Sequence, residues 1–259
     1  AVGWNVMIGC TTGLIAASLS EPDARAIYGS QHGPLTVGVT APSGVAKSVA
    51  GGYLVDGRWG WGSGAFHADW VCGGCVVHDE NDEKRLSSTG SPEVWLMIFS
   101  KDQLKIENTW QVSGMKGTGS NHFSVQNAFV PDGRQVLLGM PPRNPAPLYK
   151  FSTLGLLALG VCSVSLGIGY RALEAFKELA ATKIPTGSSS TLRGKYHAKM
   201  ALAKATADIE SADAYVRKTV ETCFAAAETD KKLTSAERNR LRLAAANATL
   251  KSAEAIDAL

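Results

Sequence analysis

The sequence predicts an α+β fold, a small antiparallel β-sheet or barrel followed by an antiparallel helical bundle. Three observations carry that expectation. All six tryptophans fall before residue 111, among β-branched and aromatic runs punctuated by glycine. Five of the ten prolines crowd into Pro131–Pro147, which reads as a connector rather than an element. Beyond them, apolar residues recur at helical spacing as far as the chain runs.

Residues 1–30 read as the end of a helical region with two short helices. In "SLSEPDARAIYGS", Ser20 offers a capping hydroxyl, Pro22 suits a first turn, and Asp23 places a carboxylate at the positive helix end. Residues 31–136 read as a β-domain of about seven strands, from runs such as "LTVGVT", "DWVCGGCVV", "EVWLMIFS" and "NHFSVQNAFV". Gly51-Gly52 and Asp56-Gly57 are expected to be tight turns, and the acidic "HDENDEKR" a solvated loop. Residues 137–150 form the proline-rich linker and 151–259 the helical bundle.

Phe151–Tyr170 holds twenty residues without a charge, long enough to span a bilayer. Its interspersed serines and glycines instead predict a helix buried all round within the bundle. Leu202, Ile209, Val216 and Cys223, seven apart, place one stripe along a long helix starting near Ser190. "PTGSSS" breaks the chain before that helix and "AAETDKK" after it. Thr234 and Glu237 then form a capping-box pattern that opens a third helix.

Composition narrows function. A formal net charge of +3 and no run of five basic residues exclude an electrostatic nucleic-acid footprint. Five scattered cysteines read as free thiols of a reducing cytoplasm rather than a disulfide framework. Cys72 and Cys75 form a lone CxxC inside a strand-like run, so packing is expected there and no metal. The opening "AVGWNVMIGC" has neither a basic n-region nor a small-residue cleavage site. Together these predict a cytoplasmic protein with neither nucleic acid nor membrane as partner.

The densest stretch is "GRWGWGSGAFHADW", Gly57–Trp70, with three tryptophans, four glycines, a serine and a histidine in fourteen residues. Two readings follow from it. The indoles of Trp59, Trp61 and Trp70 fill a barrel core short of bulk. Alternatively they wall a planar heteroaromatic ring, with glycine-bared amides and the Ser63 hydroxyl on its polar edges. "VTAPSGVA" puts Thr40 and a Pro-Ser-Gly turn after a strand. "SGMKGTGSNHF" is a glycine-rich loop without the P-loop pattern.

Thr40, "GRWGWGSG", the paired "WQVSGMKGTGS" and "VQNAFVP", and the succeeding bundle together resemble the acyl-CoA dehydrogenase superfamily. The similarity is greatest to its flavin-dependent monooxygenase branch, two-component aromatic hydroxylases and dibenzothiophene monooxygenase. The resemblance implies an acyl-CoA dehydrogenase-like fold and reduced flavin as cofactor. It implies Trp61 beside the isoalloxazine, Ser63 at flavin N5, and Thr40 with the Val39 backbone at the pyrimidine edge. His67 and Trp70 match the branch's "SG…HADW" pattern, His67 with Ser63 as a catalytic residue and Trp70 as a cofactor wall. Ser120 and Asn121 of the "GTGS" loop would line the substrate pocket.

The implied activity is hydroxylation of an aromatic or heteroaromatic molecule through a C4a-hydroperoxyflavin. A separate flavin reductase, O2 and a homotetramer belong to the same implication. The dehydrogenase Arg-Phe-Gly that clamps the adenylate is absent, and "TKIPTGSSS" stands in its place. That favours FMN over FAD, with Lys183 or Arg193 as phosphate partner. Set against the family, the chain lacks the N-terminal helical domain and the last bundle helix with its histidine. Two alternatives stay open: an FAD-dependent acyl-CoA dehydrogenase-like oxidoreductase, and a catalytically incomplete oligomeric fragment.

Overall fold

A computed structural model describes residues 1–30, 32–137, 140–229 and 231–259. Leu138 and Gly139 of the expected linker, Asp230 of the "AAETDKK" break and Gln31 at the expected β-domain boundary lie outside the described residues. The chain forms two compact units, Ala1–Pro145 and Ala146–Leu259.

The first unit opens with α1 (Val2–Gly13), a short 3-10 segment and α2 (Glu21–Tyr28). Ser20 caps α2 as its sequence asks, its hydroxyl accepting from the Asp23 amide at 3.3 Å. A seven-stranded sheet follows, made of β1 (Thr36–Val49), β2 (Gly52–Gly62), β3 (Trp70–His78), β4 (Val94–Ser100), β5 (Lys105–Glu107), β6 (Asn121–Pro131) and β7 (Gln135–Val136). The spatial order is β5-β6-β2-β1-β3-β4-β7, so the sheet is open, with β5 and β7 as edges. One pairing corrects the antiparallel expectation: β1 and β3 run parallel at its centre, from Thr36 opposite Trp70 to Lys47 opposite His78. The hairpin β1–β2 leaves by one edge of β1 while β3 returns along the other, which forces that direction.

Gly51 turns the chain between β1 and β2 with φ +78°, a conformation glycine adopts without penalty. Asp56-Gly57, expected as a turn, lies instead within β2. There Gly57 pairs with Gly44, and the Asp56 carboxylate accepts from the Asn127 amide at 2.8 Å. The reason is steric: a Cβ on Gly57 would collide with the Trp59 ring. Tertiary packing overrides the local hairpin signal.

The second unit holds the one-turn α3 (Pro147–Lys150), then α4 (Thr153–Thr182), α5 (Tyr196–Glu228) and α6 (Ser235–Asp257). α5 starts six residues later than Ser190, after a 3-10 turn at Leu192–Gly194. Ile209, Val216 and Cys223 are buried and Leu202 packs against the cluster that holds Ile209 and Val216, making the predicted stripe. Thr234 and Glu237 form the reciprocal capping box that opens α6. Gly155 lies against Leu241, and Gly169 against Ile209 and Ser252, so α4 and α6 run parallel with α5 between them in sequence and opposite in direction.

α4 is not buried all round. Gly155, Cys162, Leu166, Gly169 and Leu173 face the core, whereas Leu154, Val161 and Ile168 are 78%, 39% and 49% exposed. Among the described residues it is the helix long and apolar enough to cross a membrane by length and composition.

Candidate functional site

The three tryptophans of Gly57–Trp70 have three different environments. Trp59 is the core-filling residue: fully buried, stacked on Phe123 with centroids 5.1 Å apart, its Nε1–H donating to the Gly74 carbonyl at 2.8 Å. Trp61 points the other way. The β2–β6 register breaks between Trp59 and Gly62, and Trp61 sits in that break with φ +60° and its side chain 72% exposed. A left-handed bulky residue costs on the order of 1–3 kcal/mol, which marks the bulge as an imposed feature. Trp70 is half-buried, packed with the cluster of Ile15, Leu19 and Cys72, and it carries the Arg134 guanidinium 5.0 Å from its ring centroid.

Ser63 turns inward just after the bulge. It is 6% exposed, and its hydroxyl accepts from Trp4 Nε1–H of α1 at 2.9 Å. Ser63 Oγ also lies 2.7 Å from Ser120 Oγ, and Ser120 Oγ lies 2.7 Å from Thr118 Oγ1. Thr118 Oγ1 in turn donates to the Met115 carbonyl at 3.0 Å. The structure thus brings Ser63 and Ser120 together and adds two residues that the sequence did not single out, Trp4 and Thr118.

Asn121, adjoining Ser120, has a structural duty. Its Oδ1 accepts from the Thr109 and Trp110 amides, both at 2.9 Å, and fixes the loop before β6. Two buried polar atoms nearby are left without a partner among the described residues, Asn5 Oδ1 and His122 Nδ1. Asn5 lies against Gly64, next to Ser63, and the His122 ring lies against Gly60, next to Trp61. A buried polar atom left without a hydrogen bond costs about 1–3 kcal/mol, so both positions call for a partner such as water or a ligand.

The remaining expected residues are placed as follows. Val39 and Thr40 lie where the β1–β3 register shifts, between Val39 and Pro42, and Thr40 is exposed there. The Thr40 and Ala41 carbonyls cover Gly74, whose own carbonyl holds Trp59. His67 is exposed on the turn after Ser63, its amide donating to the Gly64 carbonyl at 2.9 Å. Lys183 belongs to the second unit, as the exposed C-cap of α4. A cavity of about 460 Å³ in that unit is lined by Lys177, Arg193 and Lys199 over Phe176, Ala180 and Leu202, without Lys183.

The Cys72 and Cys75 thiols are pushed up to about 12 by burial, which keeps them neutral and unreactive. No cluster of metal-binding side chains occurs among the described residues.

Known proteins share this fold. The family described as "Acyl-CoA dehydrogenase, C-terminal domain" matches residues 159–259. The indole-3-acetate monooxygenase of Pseudomonas putida is 28% identical over 221 residues, 85% of this chain and 54% of that protein. The flavin-dependent monooxygenase oxygenase subunit HsaA of Rhodococcus jostii is 31% identical over 182 residues, 66% of this chain and 45% of its own. The structure of XiaF from a Streptomyces species, in complex with FADH2 and glycerol, superposes with a TM-score of 0.86 at 25% identity, over 98% of this chain and 64% of that one. The chain spans about half the length of the relatives it matches. With the sheet, the bundle and the sequence matches agreeing, the chain is similar to flavin-dependent monooxygenase oxygenase components, and its residues 159–259 match the acyl-CoA dehydrogenase C-terminal domain.

Proposed function

We propose that this chain forms the flavin face of a monooxygenase that takes reduced flavin from a separate reductase and hydroxylates an aromatic or heteroaromatic small molecule. The observation that carries the reading is the pairing of an outward indole, Trp61, with an inward hydroxyl, Ser63, two residues apart on a bulged strand end. The donor set suits a planar ring with polar edges. An exposed indole offers a stacking face. Ser63 Oγ, two residues on, and the orphaned Asn5 Oδ1, against Gly64, offer acceptors at the same strand end.

When bound, reduced flavin supplies the electrons with which dioxygen is activated. The residues of this chain hold the ring and keep water away. Trp61 stacks on it, Ser63 holds its N5 edge, and Thr40 with the Val39 backbone holds its pyrimidine edge. Gly62, Gly64 and Ala65, buried around Ser63, shield its hydroxyl from solvent. His67, exposed on the same turn, is the titratable group for moving a proton on the substrate side, and Ser120 backs Ser63.

Trp70 and Asn121 support the site from its surroundings, through the layer of Ile15 and Leu19 and through the Thr109–Trp110 backbone. FMN is the flavin of this reading, because the adenylate-clamping Arg-Phe-Gly is absent. A homotetramer in the cytoplasm completes the reading.

Anaerobic titration with reduced FMN, followed by O2 and assay of product against hydrogen peroxide, tests it. Ser63→Ala should raise peroxide at the expense of hydroxylated product. Equal coupling in the variant and the parent protein would overturn the role of Ser63. Binding of neither reduced FMN nor reduced FAD would overturn the flavin reading as a whole.

A further inference from the structure

We propose that Ser63 is locked as a hydrogen-bond acceptor by a one-way hydroxyl chain through Ser120 and Thr118, so that the site selects reduced over oxidised flavin. The inference rests on the flavin reading above and assigns Ser120 and Thr118 as positioning residues within it.

The argument is a count of protons. Three hydroxyls, Ser63, Ser120 and Thr118, carry one proton each. Three contacts join them to one another and to the Met115 carbonyl, at 2.7, 2.7 and 3.0 Å. A carbonyl oxygen only accepts, so the Thr118 proton must point to Met115. Thr118 then accepts from Ser120, and Ser120 accepts from Ser63. Only this assignment satisfies all three contacts.

Reversing it would leave the Thr118 and Met115 oxygens facing each other at 3.0 Å with no proton between them. The Met115 carbonyl also receives the Thr118 amide at 3.0 Å and the Trp110 indole at 3.2 Å, so it is held as the fixed end of the chain.

The other end is fixed as well. An indole N–H only donates, and Trp4 gives its proton to Ser63 at 2.9 Å. Ser63 therefore donates to Ser120, accepts from Trp4, and has one lone pair left. It has no proton to offer a ligand. Asn5 Oδ1, the orphaned acceptor against Gly64, has the same polarity. Two acceptors on one edge require a donor opposite them. Reduced flavin has an N–H at N5, whereas oxidised flavin has a bare lone pair there, which would meet the lone pair of Ser63.

The test is the ratio of the dissociation constants for oxidised and reduced FMN, measured anaerobically for the reduced form, or equivalently the midpoint potential of the bound flavin. In the parent protein reduced FMN should bind tighter by about tenfold, the size of one hydrogen bond gained against one unmade. Ser120→Ala removes the acceptor for the Ser63 proton and frees it to turn toward the ligand. Thr118→Val lets Ser120 reverse with the same result. Both should collapse the ratio toward one, mainly by tighter binding of oxidised FMN, a change that loss of packing does not produce.

Trp4→Phe removes a donor without reversing the chain, and should keep the ratio. Melting curves check that each variant folds; should Thr118→Val not fold, Ser120→Ala decides. Equal affinities in the parent protein, or an unchanged ratio in Ser120→Ala, would overturn the chain's role while leaving the flavin reading intact. No binding of either form would overturn both.

Discussion

Trp59 and Trp61 stand two residues apart in a stretch that treats them alike, yet one belongs to stability and the other to the proposed site. Three glycines, Gly44, Gly57 and Gly73, clear space for the Trp59 ring from three different strands. Trp59→Ala should therefore cost about 3–5 kcal/mol, and Gly57→Ala about 1–3 kcal/mol through overpacking, both read by urea denaturation. Trp61→Ala, by contrast, should shift stability by less than about 0.5 kcal/mol. It should nonetheless weaken reduced-flavin binding severalfold in titration. The stretch itself revealed an unusual concentration of indoles but not their division of labour, because two of the three glycines that decide it, Gly44 and Gly73, lie on other strands. Ser63 and Ser120 were singled out by the resemblance, and the structure brings their hydroxyls together. Trp4 was not, since nothing in "AVGWNVMIGC" announces a contact 59 residues away.

Local rules located the helices well, because their signals are local. Ser20 caps α2, and Ser20→Ala should cost about 1 kcal/mol in a denaturation curve. Thr234 and Glu237 close the capping box, and the Thr234 amide and hydroxyl hold the Glu237 carboxyl below the usual carboxylate range. That contribution is present above the unfolded-state value and fades as pH falls through the folded one, so Thr234→Ala should flatten the acid limb of the stability profile. Strands were less legible. Asp56-Gly57 carries a strong turn signal and yet sits within β2, where the Trp59 ring needs the glycine. α4 was misjudged because uncharged residues look alike from sequence whether a neighbour covers them or not. Leu154, Val161 and Ile168 line a face that the unit leaves bare.

The whole chain keeps four of its five cysteines, Cys72, Cys75, Cys162 and Cys223, buried, with Cys10 exposed. A thiol reagent should accordingly titrate one group in the native protein and five after denaturation. Burial raises Cys72 and Cys75 from 9.0 to about 12, so the unfolded chain releases those protons first as pH rises. Stability should fall between about pH 9 and 12, and Cys72→Ala should make that fall shallower.

The same molecule-wide reach bears on the order of folding. The hydroxyl chain joins α1 to the end of β2 across 59 residues and β2 to the loop before β6 across 57. Closing such wide loops is entropically slow. Trp59 stacks on Phe123 of β6, so burial of its indole and closure of the hydroxyl chain both wait on the pairing of β2 with β6, and refolding should restore tryptophan burial and affinity for a ligand together.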